Sequence, residues 1–298
     1  MEQKRIAEKL KLNEEKQKNL QLQINQQKTN LKNLRKQILQ DAIEGKLTKE
    51  WREKNTDIEP ASELLKKIKK EKEKLIAEKK IKKEKPLLEI NKSEIPFELP
   101  ESWVWTRLWD VINIKSGNSY DYISSNKGVL YVKVGDMNLP DNSSEIVTSS
   151  SFFKDINIKK GDLIPINSII FPKRGGAIAT NKKRKVLKES ILVDSNTMAI
   201  VIPRLLNIEF IFWWFQTVDI SKFGNDSVIP QVNNKDIWPI RIPLPPLPEQ
   251  LAIVSKLQTL MQKLDEAEKQ IEKNLTFSKQ LIKAILAEAF NQNNLEKK

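Results

Sequence analysis

The 298-residue sequence contains no cysteine and no histidine. Without cysteine there is no disulfide, no thiolate metal site and no thiol nucleophile. Without histidine there is no Ser-His relay and no imidazole acid–base chemistry. Glycine is scarce, at 8 residues, and neither G-x-x-x-x-G-K-[ST] nor a glycine-rich dinucleotide turn occurs. Pro140-Asp141 with Glu145 has the outline of a nuclease core, but Ile146 and Val147 stand where a lysine is needed. An Asn-Pro-Pro-aromatic tetrapeptide of the kind amino-methyltransferases use is also absent. The longest apolar stretch, Ile208–Val218, is too short to span a bilayer. The opening residues MEQKRIAEKLKLNEE are charged throughout and lack the apolar stretch of a leader. These absences lead us to expect a cytoplasmic, non-membrane binding protein without metal or cofactor of its own, whose partners do any chemistry.

What is present is positive charge: 52 Lys and Arg against 39 Asp and Glu, a formal net charge of +13. Such an excess suits a polyanionic partner, because phosphates attract lysine and arginine and release counterions on contact. A lysine-rich genome bias produces the same excess. From Ile6 to Glu44 there is neither proline nor glycine, and Ile6, Leu10, Asn13, Gln17, Leu20, Ile24, Gln27, Leu31, Leu34 and Ile38 recur at alternating spacings of four and three. Gly45 follows, where a helix-ending glycine is expected. A helix over that stretch is about 58 Å long. After Pro248 the same seam returns as Leu257, Leu260, Leu264, Ala267, Ile271, Asn274, Ser278, Leu281 and Ile285, each 247 residues beyond its counterpart. LRKQILQDAI and LIKAILAEAF align at the ends of the two segments. Neither helix buries its seam alone, so an antiparallel two-helix coiled coil is expected from residues 1–45 and 248–292, with 293–298 as a disordered tail.

Between these helices lie a charged linker, 46–99, and an α/β domain rich in β, 100–247. The linker holds a short helix from Ala61 to about Lys83, stopped by Pro86. From Ser62 to Lys85 it carries 11 Lys against 5 Glu, a net of +6, which serves either as a solvated face or as a contact for DNA or a methylase. Candidate strands in the domain are Val111–Lys115, Val129–Val134, Ser168–Phe171, Ser190–Leu192 and Thr197–Ile202, with Ile208–Val218 as a buried helix. The prolines of WPIRIPLPPLPEQ form a stiff extended strap, and Glu249 falls in the first turn of the second long helix. Three loops stand out. Phe171–Lys188 has seven basic residues and no acid, and Lys173, Arg174, Lys182, Lys183, Arg184 and Lys185, with Gly175 allowing close approach, are expected to meet phosphates or guanine edges unless the stretch is a solvated hairpin tip. Lys115–Tyr122 offers Lys115, Ser116, Asn118, Ser119 and Tyr120, or is a plain turn, and Lys133 joins the DNA-binding set. Phe223–Ile237 offers Asn225, Ser227 and Gln231, amides suited to adenine but equally to capping a turn.

Four stretches together resemble a known family. IPQVNNKDIWPIRIPLPPLPEQLAIVSKL resembles the end of a target recognition domain in the specificity subunits of type I restriction–modification systems. LRKQILQDAIEGKLTKEWREKN resembles that family's central helix and its exit, and GDLIPINSIIFPKRGGAIATNKK its strand and glycine loop. LPESWVWTRLWDVINIKSGN resembles the opening of a recognition domain, with Trp109 where family members usually carry glycine. The resemblance implies a non-catalytic subunit in which two recognition domains, spaced by two long helices, each read one part of a split duplex DNA target. It also implies modification subunits that methylate adenine with S-adenosylmethionine, and restriction subunits, with Mg and ATP on those partners and not on this chain. One recognition domain with two long helices implies a half-subunit. Such a half is completed by a homodimer or a complementary half, or it is a truncated subunit acting as a scaffold that binds modification subunits without productive targeting.

Overall fold

The computed structural model describes residues 2–83, 87–120, 127–154, 158–225 and 227–295. The chain divides into two compact units, residues 1–40 with 255–298, and residues 41–254. Its helices are α1 (Glu2–Ile43), α2 (Lys49–Lys54), α3 (Ala61–Ala77), α4 (Leu108–Val111), α5 (Ile208–Thr217), α6 (Asn234–Ile237) and α7 (Leu247–Leu295). Its strands are β1 (Val104–Arg107), β2 (Asn113–Ser116), β3 (Val129–Val132), β4 (Phe152–Phe153), β5 (Ser168–Pro172), β6 (Arg184–Val186), β7 (Leu192–Val193), β8 (Thr197–Val201) and β9 (Arg241–Leu244).

The first unit is the antiparallel pair of α1 and α7. Lys28 meets Glu272 at 3.3 Å and Arg35 meets Asp265 at 2.6 Å, so numbers rise along one helix as they fall along the other. These half-exposed ion pairs contribute at most about 1 kcal/mol each. Burial of Ile24, Ile38, Leu257 and Leu264 outweighs them, at about 1.5–3 kcal/mol per side chain. Leu20, Leu31 and Ile271 are half-buried. The expected seam needs correction elsewhere: Leu34 is 47% exposed, and Leu281 and Ile285 are exposed too. In place of Gln27, Leu34 and Asn274, the inward positions are Lys28, Arg35 and Leu275, each one residue later, and Met261 is buried next to a half-buried Leu260. Neighbouring residues such as Leu260 and Met261, or Leu281 and Ile282, make the apolar stripe ambiguous by one position. Arg35 settles the choice on α1 by lying over the seam, with Nη1 3.5 Å from the Met261 sulfur. The side chain of Leu10 lies outside what the structure describes. Helix α7 continues to Leu295, into the segment expected as a tail, and residues 296–298 lie outside the described ones.

The second unit contains three sheets. Strands β2, β8, β5 and β6 form an antiparallel sheet in that order; β4, β3 and β7 form a second, with β3 and β7 parallel; β1 and β9 pair antiparallel. Leu130, Val132, Met137, Ile164, Ile170, Val186 and Val193 share one core. The apolar helix α5 adds Phe210, Phe212, Trp214 and Phe215, with Phe215 edge-on to Phe171 at 5.2 Å. Four strands escaped the sequence reading: β1, β4, β6 and β9. The proline strap is extended as expected, but β9 is also a ladder partner, with Trp105 opposite Pro243. Proline is tolerated there because a two-stranded sheet is all edge.

Gly45 ends α1 as expected, at φ +74°, with its N–H on Ala42 O and the Lys46 N–H on Asp41 O. The same cap ends α3 six residues before the expected Lys83. Lys79 takes φ +54°, its N–H reaches Ile76 O and the Lys80 N–H reaches Leu75 O. Beyond that point Lys79, Lys80, Lys82 and Lys83 would crowd like charges on one more turn. Pro86, the expected stop, lies outside the described residues. Residues expected as a linker are packed: Ala61, Leu64 and Ile68 are buried, and the Ala61 N–H bonds Ser102 O. Lys72 donates to the carbonyls of Trp109 and Ile112, and its Nζ stands 3.3 Å from the centre of the Trp109 ring. Burial pushes its ammonium down to about 8. Trp109, the departure from the family's glycine, thus fills the space between Lys72 and Trp238, whose ring centre is 5.0 Å away.

The start of α7 is fixed by its acid and amide. Glu249 is 1% exposed. Its Oε1 accepts from Thr48 Oγ1 at 2.6 Å and Arg52 Nη1 at 2.5 Å, and its Oε2 accepts from Trp103 Nε1 at 2.7 Å. Gln250 donates through Nε2 to Pro245 O and accepts the Asn207 N–H on Oε1. Glu249→Ala leaves a buried hydroxyl, an indole N–H and a guanidinium without their acceptor. A loss of about 3 kcal/mol in urea-measured stability is expected. Glu249→Gln, which keeps one strong acceptor, should lose less; equal stability of Glu249→Ala and the parent chain would refute the assignment.

Candidate nucleic-acid interface

Three loops of the second unit are tied into one platform by backbone bonds. The turn after β2 starts at Gly117, whose N–H bonds Thr197 O, while the Asn118 N–H bonds Val193 O. A Cβ on Gly117 would fall 2.0 Å from the Asp194 carbonyl oxygen, so only glycine fits. The segment Asp194–Thr197 reaches the next loop, where the Lys173 N–H bonds Asn196 O. Lys173 O then accepts the Val232 N–H, the Gly175 N–H bonds Pro230 O, and Arg174 bridges Gln231. Gly175 has φ 72° and ψ −169°, a conformation essentially confined to glycine. The linking segment Asp194–Thr197 was missed in the sequence; its run of Asp, Ser and Asn between two apolar stretches is the signal that marks it.

In the first loop Ser116 and Asn118 are exposed, and Asn118 Nδ2 lies 3.4 Å from Asp162 Oδ1. Lys115 is turned to structure: its Nζ donates to Leu163 O at 2.6 Å, and burial lowers its pKa. Tyr120 packs edge-on against Tyr131 and Phe153, and burial raises its phenol. Lys133 Nζ stands 5.7 Å from the Tyr131 ring centre. Asp121 and Tyr122 lie outside the described residues. Lys115, Ser116 and Asn118 line a cavity of about 580 Å³ with Trp109, Trp238 and Lys82.

The basic loop divides. Arg174 is exposed, and its guanidinium has no hydrogen bond or ion pair with any described residue. Lys173 is half-buried, with a pKa lowered by burial. Lys182 donates to Asn138 Oδ1. The remaining three cations require correction, because residues 184–186 are strand β6 and not loop. Lys183 is 1% exposed; its Nζ donates to Asn181 Oδ1 at 2.9 Å and Val218 O at 2.7 Å and stands 4.8 Å from the Phe215 ring centre. Lys185, also buried, pairs with Glu209 at 2.5 Å and stands 5.0 Å from the Phe212 ring centre. Arg184 spends its guanidinium on the carbonyls of Asn142, Lys183 and Met137. None of these three is placed to meet a phosphate. Phe212 and Phe215, spaced three apart on α5, receive Lys185 and Lys183, spaced two apart next to β5.

In the third loop Asn225 and Gln231 close a neck. The Gln231 N–H bonds Asn225 Oδ1 at 2.9 Å, and the Asn225 N–H bonds Gln231 O at 3.2 Å. Ser227 Oγ lies 2.8 Å from Asn225 Oδ1 and 2.6 Å from Ile229 O, and Gln231 Nε2 donates to Asn233 Oδ1. These amides hold the turn, which is the capping alternative of the sequence reading. Asp226 lies outside the described residues. Among the described residues no acidic cluster is placed to hold a metal ion, and no helix is long and apolar enough to cross a membrane.

Residues 100–276 match the type I restriction modification DNA specificity domain. The chain belongs to that family. It is 30% identical over 280 residues to the EcoAI specificity subunit of Escherichia coli, covering 89% of this chain and 45% of that protein. To the EcoEI specificity subunit of the same organism it is 28% identical over 288 residues, with the same coverage. The chain thus spans about half the length of the curated relatives it matches. The crystal structure of the HsdS subunit from Thermoanaerobacter tengcongensis shares the fold at a TM-score of 0.55 and 16% identity, over 97% of this chain and 58% of that one.

Burial holds the Lys183 ammonium down to about 7, against 10.5 when unhindered. Between those values the unfolded chain binds a proton that the folded chain does not. Stability therefore rises with pH across this window, by at most about 1.4 kcal/mol per pH unit. Below pH 7 both states carry the charge and the dependence vanishes. Lys183→Met should remove this rise relative to the parent chain in urea titrations from pH 7 to 10; an unchanged slope would place the ammonium in solvent.

Proposed function

We propose that this chain is the non-catalytic reading half of a type I specificity assembly, binding one part of a split duplex DNA target and directing modification and restriction subunits to it. The observation that carries this reading is the loop platform inside the matched domain, a frame of backbone bonds that carries the exposed Arg174, with Lys182, held by Asn138, further along the same basic stretch. Phosphate contacts of this kind supply the salt-dependent part of duplex affinity, and Ser116 and Asn118 supply exposed donors and acceptors for base edges. Adenine methylation with S-adenosylmethionine, and cleavage with ATP and Mg, belong to the partner chains in this reading. Replacing Arg174 and Lys182 together by alanine should lower the slope of log affinity against log salt by about 2 in fluorescence-anisotropy titrations of duplex DNA. Retention of the parent slope would take these loops out of the interface.

The helix pair supports the second element of the proposal. Leu22, Leu34, Phe277, Leu281 and Ile285 are exposed, more apolar surface than a self-sufficient two-helix unit presents. That surface suits a second copy or a complementary half, which restores two reading domains, and it suits modification subunits. A subunit that holds them without reading DNA would be a scaffold; DNA binding separates the two. Light scattering at micromolar concentration should give twice the chain mass; a strict monomer, alone and with modification subunit, would refute the homodimer.

A further inference from the structure

The third loop carries an apex that phosphate and hydrogen-bond readout leaves unused. Val228 is 102% exposed and Ile229 55%, and no large hydrophobic residue among the described ones is more exposed than Val228. A slack loop would fold two such side chains down onto the nearest apolar surface. Here the neck between Asn225 and Gln231 is closed by reciprocal bonds, and Ser227 and Pro230 brace either side of the apex. The Gly175 N–H on Pro230 O and the bridge of Arg174 to Gln231 set the unpaired guanidinium beside this loop.

An aliphatic tip beside an exposed cation whose side chain bonds no described residue matches the chemistry of duplex DNA, which offers a phosphate rail outside and an apolar interior reachable only between base pairs. The geometry points to Val228 and Ile229 as a wedge that enters the duplex between adjacent base pairs from the minor groove, while Arg174 holds the flanking phosphate. Pyrimidine–purine steps, which unstack most readily, are its expected sites of entry. The wedge rests on the DNA reading above and adds to it a means of selecting sequence through deformability, independent of base-edge hydrogen bonds.

The full chain is used to select bound sequences from a randomised duplex pool, and 2-aminopurine is placed at the pyrimidine–purine step of the selected duplex, where unstacking brightens it. The parent chain should raise this fluorescence several-fold. Val228→Ser with Ile229→Ser should keep salt-dependent binding and the parent melting temperature, since both positions are exposed, and should lose the rise. Val228→Leu with Ile229→Leu should restore it, which separates an apolar wedge from a merely disturbed loop. Binding by the parent chain without brightening, or equal brightening by the double serine variant, overturns the wedge while leaving the DNA reading intact. In that event the apex belongs to a protein contact. Absence of any duplex binding by the parent chain at low salt overturns both.

Discussion

A single carboxylate, Glu249, organises the joint on which the larger unit depends. A buried ion of this kind costs several kcal/mol to strip of water, and only a full complement of donors offsets that cost. Glu249 has three, from a threonine at the start of α2, an arginine within it and the tryptophan before β1. Its neighbour Gln250 reaches the residue that caps α5. Two adjacent side chains in one helical turn therefore tie together segments some two hundred residues apart in the chain. Specificity of geometry, more than net stabilisation, is what such a fully satisfied polar cluster supplies.

The distribution of positive charge follows the same logic of satisfaction. Lys72, Lys115, Lys183, Arg184 and Lys185 act as struts: each finds carbonyls, an acid or an aromatic face, and burial lowers the pKa of Lys72, Lys115, Lys183 and Arg184. Arg174 is exposed, and its guanidinium bonds no described residue. A net charge of +13 suits a polyanionic partner, yet it says nothing about which cations face outward. Three cations of the most basic stretch serve the interior, because the chain there is a strand between β5 and the aromatic helix α5 and not a solvated tip.

Much of the architecture was legible. The four-three spacing marked both long helices, the insertion of the rest of the chain between them implied their antiparallel pairing, Gly45 marked the cap, and the strands of the four-stranded sheet other than β6 were placed within a few residues. The misses share a cause. Strand β6 and the residue before it read as polar because Lys185 and Lys183 are satisfied by partners distant in sequence, Glu209, Val218 and two phenylalanines, which no local pattern reveals. Strands β1 and β9 are short, and one contains proline. The seam slipped by one residue at Gln27, Leu34 and Asn274, where the inward side chains are Lys28, Arg35 and Leu275, two of them charged and so invisible to an apolar pattern. In the loops, residue type did not reveal the division of labour: the Asn225 amide oxygen accepts the Gln231 N–H and the Gln231 amide donates to Asn233, whereas the Arg174 guanidinium bonds no described residue.

Gly117 has a consequence for how such a domain can change. Its lack of a side chain admits the Asp194 carbonyl, and the frame of the three loops passes through that contact. Ser116, Asn118 and Ser119 stand on either side of it without belonging to the frame's backbone lattice as side chains. Side chains at those flanking positions can be exchanged while the frame stands, whereas a methyl group at 117 would collide with the Asp194 carbonyl and break it.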